Sequence, residues 1–473
     1  MNPEALDTFL LLNIPSLPLD SASNCFQLPR LSLKGIVMRN QLLICSLFLL
    51  IGLCSIHPVN AQRNPFGSHH EAYASGTLFP NQYTEAEIDV FVSDYYDQWK
   101  SDWLRADPGG NGYRVVMDDT GRTTSESQGY GMIIVPNMAG HDTAAQEIFD
   151  GLYAYSRAHP SEGNSKLMDW AQPDATGNRS AFDGDADIAY GLLLADKQWG
   201  SSGSINYVEE AKSIIEAIHS STIGPDSNLP MLGDWVNPNG SGSYNQWSTR
   251  SSDFMNGHFR AFGQASGNEG QWNSVIQATQ RAVEDINAEF GTGLMPDFVV
   301  VEPITGDATP APPNFLESEH DGEYWYNAGR TPWRFGADAV LNGDTISREQ
   351  AQLLSEFFQA ASNGDPSQIL GGYELDGDPL NNWSDLFFIA PVGVAAMTGS
   401  DAGDQLWLNS IFDNIKASHV NYYSDSINLN SLLVMSGNAL NPVAITAVPE
   451  PANICVLGFA VALGVLKRRR RVQ

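Results

Sequence analysis

Two acidic motifs in the sequence have the residue types and spacing that acid–base chemistry requires. In the first, Ser125-Glu126 precedes a glycine-containing segment, Gly129-Tyr130-Gly131-Met132, which continues into the apolar run 133–135. A serine followed by a glutamate before an apolar run is typical of a helix N-terminus. The pattern predicts that Glu126 lies at the end of an element and faces a cleft. An acid that merely caps a helix is the structural alternative.

The second motif is Asp183-Gly184-Asp185-Ala186-Asp187, which precedes an apolar segment at 188–195. Acids at alternating positions of a helix start place Asp183 and Asp187 on one face and turn Asp185 away. The motif could also belong to a calcium loop, but the EF-hand pattern requires a glutamate at its twelfth position, where this chain has Leu194. A solvated helix start is the other alternative.

The segments that would position these acids have the periodicity of helices. Between residues 85 and 104, apolar side chains recur every three or four residues. Further helices are predicted at 127–138, 143–158, 184–199, 205–220, 253–265, 270–288, 331–342, 347–361, 383–398, 402–417 and 425–436. Twelve helices with few strand signals predict an all-α fold, in which six hairpins close into a toroid, an (α/α)6 barrel. A helical solenoid is the alternative, but no fixed-period repeat is visible.

Four long polar loops are predicted at 106–125, 159–183, 222–252 and 289–329. In a barrel of this kind, the loops at one end form the cleft. These loops contain the aromatic residues Tyr113, Trp170, Trp235, Tyr244, Trp247, Tyr324, Trp325 and Tyr326. Aromatic rings stack on the apolar faces of sugars, and acids bind sugar hydroxyls. As a group they predict a carbohydrate-binding cleft, although burial beneath a loop would explain any one of them.

The two acidic motifs and a third segment, Tyr326-Asn327-Ala328-Gly329-Arg330-Thr331-Pro332-Trp333-Arg334, resemble the signatures of glycoside hydrolase family eight. The resemblance covers about residues 80–440, with the three motifs in the expected order. Members of this family are (α/α)6 barrels that cleave β-1,4-linked glucan, mixed-linkage glucan, xylan or chitosan with inversion of configuration. The resemblance therefore implies an endo-acting glycoside hydrolase whose partner is a β-linked polysaccharide.

The resemblance also implies roles for individual residues. Glu126 matches the general acid, and Asp183 matches the aspartate that binds the distorted sugar in the central subsite, with Asp185 as the alternative. Phe182 departs from the family pattern, which usually has Ser or Thr before this aspartate. No metal or organic cofactor is implied. Further contacts with substrate are expected from Tyr130, Trp170, Asp185, Trp247, Tyr326, Asn327 and Arg330.

Asn327 is the more informative departure from the family pattern. One branch of the family has its catalytic base, an aspartate, at this position, but an amide cannot accept a proton from water at neutral pH. In another branch, which has asparagine here, a glutamate from the preceding loop is the base. This chain has an acidic loop before Asn327, and we expect Glu317 to be the general base because it adjoins the apolar Phe315-Leu316 anchor. Glu319 and Glu323 are the alternatives.

Composition excludes several other functions. The formal net charge of −30 argues against nucleic-acid binding, because phosphate contacts require clustered basic residues. An acidic protein also repels polyuronates, which disfavours a polysaccharide lyase on a similar toroid. A non-catalytic surface protein that binds polysaccharide is the remaining alternative. The four cysteines, Cys25, Cys45, Cys54 and Cys455, all lie outside residues 62–446. This central part of the chain can therefore form no disulfide and no thiolate metal site.

Both ends of the chain have the features of targeting segments. Met38-Arg39-Asn40 precedes a short apolar run and the small residue Ala61, the pattern of a secretory signal peptide. We expect translation to begin at Met38, cleavage to follow Ala61 and the signal region to cover 1–61. Residues 447–473 combine Val448-Pro449-Glu450-Pro451 with an apolar run and a basic cluster, and resemble the Pro-Glu-Pro C-terminal sorting tag of bacterial exported proteins. A membrane-spanning anchor is the alternative at each end.

These segments leave 62–446 as the hydrolase domain. The protein is expected to be exported, and to become extracellular or attached to the cell surface after both ends are processed. The tag would bring it into transient contact with a membrane, and a monomer is expected.

Overall fold

The structure of the protein, a computed structural model, describes residues 62–67, 73–173 and 178–443. The twelve predicted helices are all present within a few residues of their expected bounds, so the described part of the chain is helix-rich, consistent with the all-α prediction. The predicted signal region with Met38 and Ala61, and the C-terminal tag, lie outside the described residues. The helices are α1 Glu85–Trp103, α2 Ser125–Asn137, α3 Ala145–Ala158, α4 Phe182–Trp199, α5 Tyr207–Thr222, α6 Asn256–Ser266, α7 Glu269–Phe290, α8 Thr331–Asn342, α9 Thr345–Ala361, α10 Leu386–Ala396, α11 Ala402–Ile415 and α12 Tyr422–Met435.

The even-numbered helices contact one another in succession. Helix α2 contacts α4, α4 contacts α6, α6 contacts α8, α8 contacts α10, α10 contacts α12, and α12 contacts α2 again. Each odd-numbered helix packs against an even-numbered neighbour: α1 against α12, α3 against α2, α5 against α4, α7 against α6, α9 against α8 and α11 against α10.

Burial differs between the two sets of helices. Helix α10 is buried along its whole length, and in α2 only Glu126 is not fully buried. Such helices read as continuous apolar or small-residue segments because they have no solvent face. Helix α7 instead buries one face, which includes Trp272, Val275, Ile276 and Thr279 at helical spacing. The odd-numbered helices thus cover the core that the even-numbered helices form.

Seven short strands lie in the connections that precede the even-numbered helices. They pair antiparallel in three small sheets: β1 Leu104–Ala106 with β2 Tyr113–Val115, β3 Thr123–Thr124 with β4 Ala171–Gln172, and β5 Ser248–Arg250, β6 Phe298–Val301 and β7 Ala308–Pro310 together. The sequence pattern predicts loops at these positions, because strands this short show no alternating pattern. The three-stranded sheet joins the connection before α6 to the connection before α8.

Two glycines allow α2 and α4 to approach closely. A Cβ atom at Gly129 would lie 2.6 Å from Asp187 Cβ, and one at Gly184 would lie 2.3 Å from Ser125 Oγ. No side chain fits at either position without displacing a helix. The glycines in both acidic motifs therefore bring the first turns of the two helices together.

The segment before α1 lies across the C-terminal ends of three even-numbered helices. The Tyr73 hydroxyl donates to Val434 O at 3.1 Å, Ala74 N–H donates to Val340 O at 2.8 Å, and Leu78 N–H donates to Met397 O at 2.8 Å. Close to the other end of the described chain, Asn441 Nδ2 donates to Leu341 O at 2.9 Å. Within the described ranges, none of the helices combines the length and the apolar composition that crossing a bilayer would need.

Candidate active site

The candidate site lies where the first turns of the even-numbered helices meet. Glu126 is in the first turn of α2, Asp183 is in the first turn of α4, Arg330 directly precedes α8, and Tyr422 begins α12. Hydrogen bonds join these four side chains directly or through Arg330. Residues that are far apart in the sequence thus meet at one end of the helix assembly.

Arg330 is the centre of this hydrogen-bond network. The residue is only 1% exposed, so its charge depends on neighbouring acids and acceptors. Its Nη1 donates to Glu126 Oε2 at 2.9 Å and to Asp183 Oδ2 at 2.8 Å. Its Nη2 donates to Ser252 Oγ at 2.8 Å and to Asn327 Oδ1 at 2.9 Å. A single guanidinium therefore fixes the relative positions of the two predicted acids.

Glu126 is held in a form that retains a proton near neutral pH. Burial raises the pKa of its carboxyl to about 7; Arg330 opposes this shift and the negative charge of Asp183 adds to it. The helix N-terminus alone would favour the anion, so burial outweighs the helix dipole. The Tyr422 hydroxyl donates to Glu126 Oε1 at 3.2 Å. About a fifth of the side chain (20%) remains exposed.

Asp183 has the opposite protonation behaviour. Burial disfavours its charge, but Arg250 and Arg330 together outweigh burial and lower its pKa to about 2. Arg250 Nη1 lies 3.3 Å from Asp183 Oδ2, and the N–H of Gly184 donates to Asp183 Oδ1 at 2.9 Å. The site therefore pairs a protonated glutamic acid with an ionised aspartate.

Glu317 reaches the same network from the loop before α8. Asn327 Nδ2 donates to Glu317 Oε2 at 2.9 Å, and Arg250 Nη2 lies 3.4 Å from Glu317 Oε1. The Asn327 amide thus links Glu317 to Arg330. The Glu317 side chain is 47% exposed, so water has free access to it.

The two alternative glutamates lie on a different contact network. His320 Nδ1 lies 2.5 Å from Glu323 Oε2, and His320 Nε2 lies 3.9 Å from Glu319 Oε1. The Glu319 side chain is 79% exposed. Of the three predicted candidates for the base, only Glu317 contacts both Arg250 and Asn327 in the described structure.

The three acids of the second motif have three different partners. Asp183 contacts Arg330. Asp187, one turn further along α4, forms a bidentate pair with Arg334, and its Oδ1 lies 2.8 Å from His258 Nε2. This agrees with the expected common face of Asp183 and Asp187. Asp185 turns away and accepts the N–H of Met168 at 2.7 Å. Ligands of a calcium ion would surround one point, whereas these three carboxylates face three different partners.

Four of the predicted substrate contacts are buried and have partners within the protein: Asn327 and Arg330, described above, and Tyr130 and Asp185. Tyr130 is fully buried, and Arg330 Nη1 donates to its hydroxyl at 3.3 Å. Asp185 is 1% exposed, and burial raises its pKa well above the usual range. The structure therefore places Tyr130 behind Arg330 and places Asp185 against the loop before α4; their direct contact with substrate stays a prediction.

The predicted aromatic contacts Trp170, Trp247 and Tyr326 are half-buried. The Trp170 carbonyl accepts the N–H of Ser125, the residue before Glu126, at 2.9 Å, and the Arg122 guanidinium lies 5.4 Å from the centroid of the Trp170 ring. The Tyr326 ring stacks on Phe387 at a centroid distance of 5.2 Å. Each ring thus has a packed part and an open part, as a ring that stacks on a sugar requires.

Sequence reasoning missed Arg250 and Tyr422. Arg250 is 9% exposed at the end of β5, and it contacts both Asp183 and Glu317. An arginine in a polar loop is ordinarily a surface residue, so nothing local distinguishes it. The buried acids Asp253 and Asp297 were also missed; burial raises the pKa of each to about 7.

Comparisons with known proteins identify the family of the chain. The model of the family described as glycosyl hydrolases family 8 matches residues 85–437. A β-glucanase of Niallia circulans is 42% identical over 404 residues, which are 84% of this chain and 96% of the relative. An endoglucanase of Bacillus sp. (strain KSM-330) is 39% identical over 388 residues, which are 78% of this chain and 80% of that relative.

Solved structures give the same result. The apo structure of a β-1,3-1,4-glucanase from Paenibacillus sp. X4 matches with a TM-score of 0.76 and 42% identity, covering 80% of this chain and 99% of that chain. Rex8A from Paenibacillus barcinonensis, complexed with xylose, matches with a TM-score of 0.64, covering 78% of this chain and 99% of that chain; at 18% identity this likeness concerns the fold alone. The chain therefore belongs to glycosyl hydrolase family 8 and is a glycoside hydrolase.

Proposed function

We propose that this glycoside hydrolase is an endo-acting enzyme that cleaves β-glucan containing β-1,4 linkages with inversion of configuration. The observation that carries the proposal is the network around Arg330. Its guanidinium binds Glu126 and Asp183 directly, and the Asn327 amide connects it to Glu317. Three carboxylates from separate segments of the chain, two helix starts and one loop, are thereby held around Arg330.

In the proposed reaction, Glu126 is the general acid. It gives its proton to the glycosidic oxygen as the bond between that oxygen and the anomeric carbon breaks. Its pKa of about 7 supports this role, because the acid must be protonated when substrate binds. Asp183, with a pKa of about 2, remains an anion that binds sugar hydroxyls and stabilises positive charge near the anomeric carbon.

Glu317 is the proposed general base. A water molecule attacks the anomeric carbon from the face opposite the leaving group, and Glu317 accepts the proton that this water loses. Its partial exposure gives water access to the carboxylate. Arg250 and Asn327 donate hydrogen bonds to it, as donors do to a carboxylate anion. Asn327 acts as an amide donor that orients Glu317, which explains an asparagine at this position.

The relatives support the choice of substrate. The Niallia circulans relative is named a β-glucanase, the Bacillus relative an endoglucanase, and the Paenibacillus sp. X4 structure a β-1,3-1,4-glucanase. We therefore place mixed-linkage β-glucan first among substrates, before β-1,4-glucan, xylan and chitosan. A comparative digest of lichenan, carboxymethyl cellulose, xylan and chitosan should give the highest kcat/KM on lichenan.

We further infer that the circular succession of helix contacts is an (α/α)6 barrel, since six even-numbered helices surrounded by six odd-numbered ones have this pairing. We also infer that the enzyme is exported, with removal of a signal region at 1–61 and recognition of a tag at 447–473 at a membrane. This inference rests on the sequence patterns of the two ends. A monomeric enzyme would suffice, because all of the proposed catalytic groups come from one chain.

The first test replaces the general acid. Glu126→Gln keeps the shape of the side chain and removes its proton-donating carboxyl, so kcat on lichenan should fall by about 10²- to 10⁴-fold. Binding of an oligosaccharide, measured by calorimetry, should change little. Near wild-type turnover in this variant would reject Glu126 as the acid.

The second test replaces the base. Glu317→Ala should lose activity and regain part of it with added azide, which can attack the anomeric carbon in place of water without a base. The product should be the α-glucosyl azide, because attack comes from the face opposite the β-linked leaving group. Glu319→Ala and Glu323→Ala, which change acids bound to His320 instead, should keep their activity without azide.

A further inference from the structure

The loop that carries Glu317 is organised around one buried carboxylate. Asp321 is fully buried, and its Oδ2 accepts the N–H of Leu316 at 2.6 Å and the N–H of Glu317 at 2.9 Å. Its Oδ1 accepts the N–H of Ser318 at 2.9 Å. Three consecutive backbone N–H groups therefore point at one side chain, and the middle one belongs to the proposed base.

The Asp321 backbone is itself fixed to the rest of the protein. Its carbonyl accepts the N–H of Phe298, the first residue of β6, at 2.9 Å. On the other side of Glu317, the Phe315 ring packs against Phe298 and Tyr244 at centroid distances of 5.8 Å and 5.3 Å. The Tyr244 hydroxyl donates to Phe315 O at 2.6 Å. The loop is thus anchored to the three-stranded sheet on both sides of Glu317.

The Glu317 side chain has few contacts of its own. It is 47% exposed, and in the described structure its polar contacts are with Asn327 at 2.9 Å and Arg250 at 3.4 Å. A half-exposed glutamate has several accessible rotamers, so its position depends strongly on where its backbone is held. The backbone N–H of Glu317 is held by Asp321.

We propose that Asp321 is a positioning residue for the general base, acting on Glu317 through the loop backbone. The proposal rests on the proposed function, in which Glu317 activates water. Asp321 itself touches no substrate, because its side chain is fully buried. A displacement of a catalytic group by about 1 Å can lower the rate about 10²-fold, so weakening this anchor should affect turnover far more than substrate binding.

The single variant Asp321→Asn tests the positioning role. Asparagine keeps one acceptor oxygen but presents an amide N–H₂ group to backbone donors, so at least one of the three hydrogen bonds is lost. We expect kcat on lichenan to fall about 10- to 100-fold, with KM changing less than about 3-fold. An unchanged kcat would overturn the proposal.

Asp344→Asn is the matched control for a general loss of stability. Asp344 caps α9 by accepting the N–H of Ser347 at 2.7 Å, and it also pairs with Arg260 at 2.6 Å, in the short connection between α8 and α9. This variant should lower the melting temperature but keep kcat at a temperature where the protein remains folded. If both variants lowered kcat equally, a positioning role for Asp321 would be rejected.

A double-variant cycle separates the anchor from the base. If Asp321 acts only through Glu317, adding Asp321→Asn to Glu317→Ala should leave the azide-rescued rate within about 2-fold of that of Glu317→Ala alone. A 10- to 100-fold drop in the rescued rate would overturn the proposal. Full activity of Glu317→Ala without azide is a different result: it would remove Glu317 as the base, and Asp321 with it.

Discussion

Glu126 and Asp183 share one arginine and yet differ in protonation. Both accept a hydrogen bond from Arg330 Nη1, but Asp183 also contacts Arg250 and the N–H of Gly184. Burial raises the pKa of Glu126 to about 7, while the two arginines lower that of Asp183 to about 2 despite its burial. The difference in protonation therefore comes from the number of positive charges and donors that face each carboxyl.

The pH dependence of activity should follow from Glu126. The acid is required in its protonated form, so kcat/KM is expected to decline as the pH rises through about 7. The Tyr422 hydroxyl donates to Glu126 Oε1, which stabilises the anion and lowers the pKa of Glu126. Tyr422→Phe should therefore raise this pKa and shift the basic limb of the kcat/KM profile upward by about 0.4–1 pH unit, the equivalent of one hydrogen bond.

Tyr423→Phe is the control for this prediction. The hydroxyl of Tyr423 donates to Tyr326 O at 2.9 Å rather than to Glu126, and the substitution removes the same group from the adjacent residue. Its basic limb should stay at the wild-type pH. A downward shift for Tyr422→Phe, or equal shifts for both variants, would contradict a direct hydrogen bond to the acid.

At the scale of elements, the acid and the central aspartate meet because α2 and α4 pack with almost no space between their first turns. A Cβ atom at Gly184 would lie 2.3 Å from Ser125 Oγ and 2.4 Å from the Ser125 backbone carbon. Gly184→Ala should therefore separate the helix starts, lower the free energy of unfolding by about 1–3 kcal/mol and reduce kcat. Chemical denaturation and lichenan kinetics would measure the two effects.

Gly270→Ala is the matched substitution in α7. No heavy atom lies within 4 Å of a Cβ at this position, so alanine fits without strain. It should leave kcat unchanged and leave the free energy of unfolding equal or raised by up to about 1 kcal/mol, because alanine has the higher helix propensity. A Gly184→Ala enzyme as stable and active as the Gly270→Ala enzyme would show that the close approach is not required.

The helices could be predicted from the sequence, and much of the site could not. Apolar residues at a spacing of three and four, as in α7, arise directly from burial of one helix face, so the helix bounds follow from the sequence. The convergence of Glu126 and Asp183 was predicted only through a resemblance of motifs. Arg250 enters the site through β5, a strand of three residues whose pairing with β6 depends on distant loops, and no local pattern indicates it.

At the scale of the whole molecule, the two ends of the helix assembly have different tasks. The end at which the even-numbered helices begin carries the proposed catalytic groups, and residues 73–78 and Asn441 contact the opposite end. Tyr73, Ala74 and Leu78 bind carbonyl groups at the ends of α12 and α8 and just after α10. The last carbonyl groups of a helix have no partners within the helix, and Val340 O and Met397 O each accept one of these bonds.

The contacts at the end opposite the site predict how far the chain can be shortened without loss of stability. A chain of residues 62–443 should match the melting temperature and kcat of the full chain, because it keeps all of these contacts.

A chain limited to residues 85–437, the range that the family model matches, loses the segment before α1 and the Asn441 bond to Leu341 O. At about 1 kcal/mol per lost hydrogen bond, with the exposed apolar surface in addition, it should be several kcal/mol less stable. Its kcat at low temperature should remain close to that of the longer chain, because the catalytic groups lie at the other end. Equal melting temperatures for the two chains would contradict a stabilising role for the terminal segments, whereas loss of kcat in a fully folded 85–437 chain would show that the two ends are coupled.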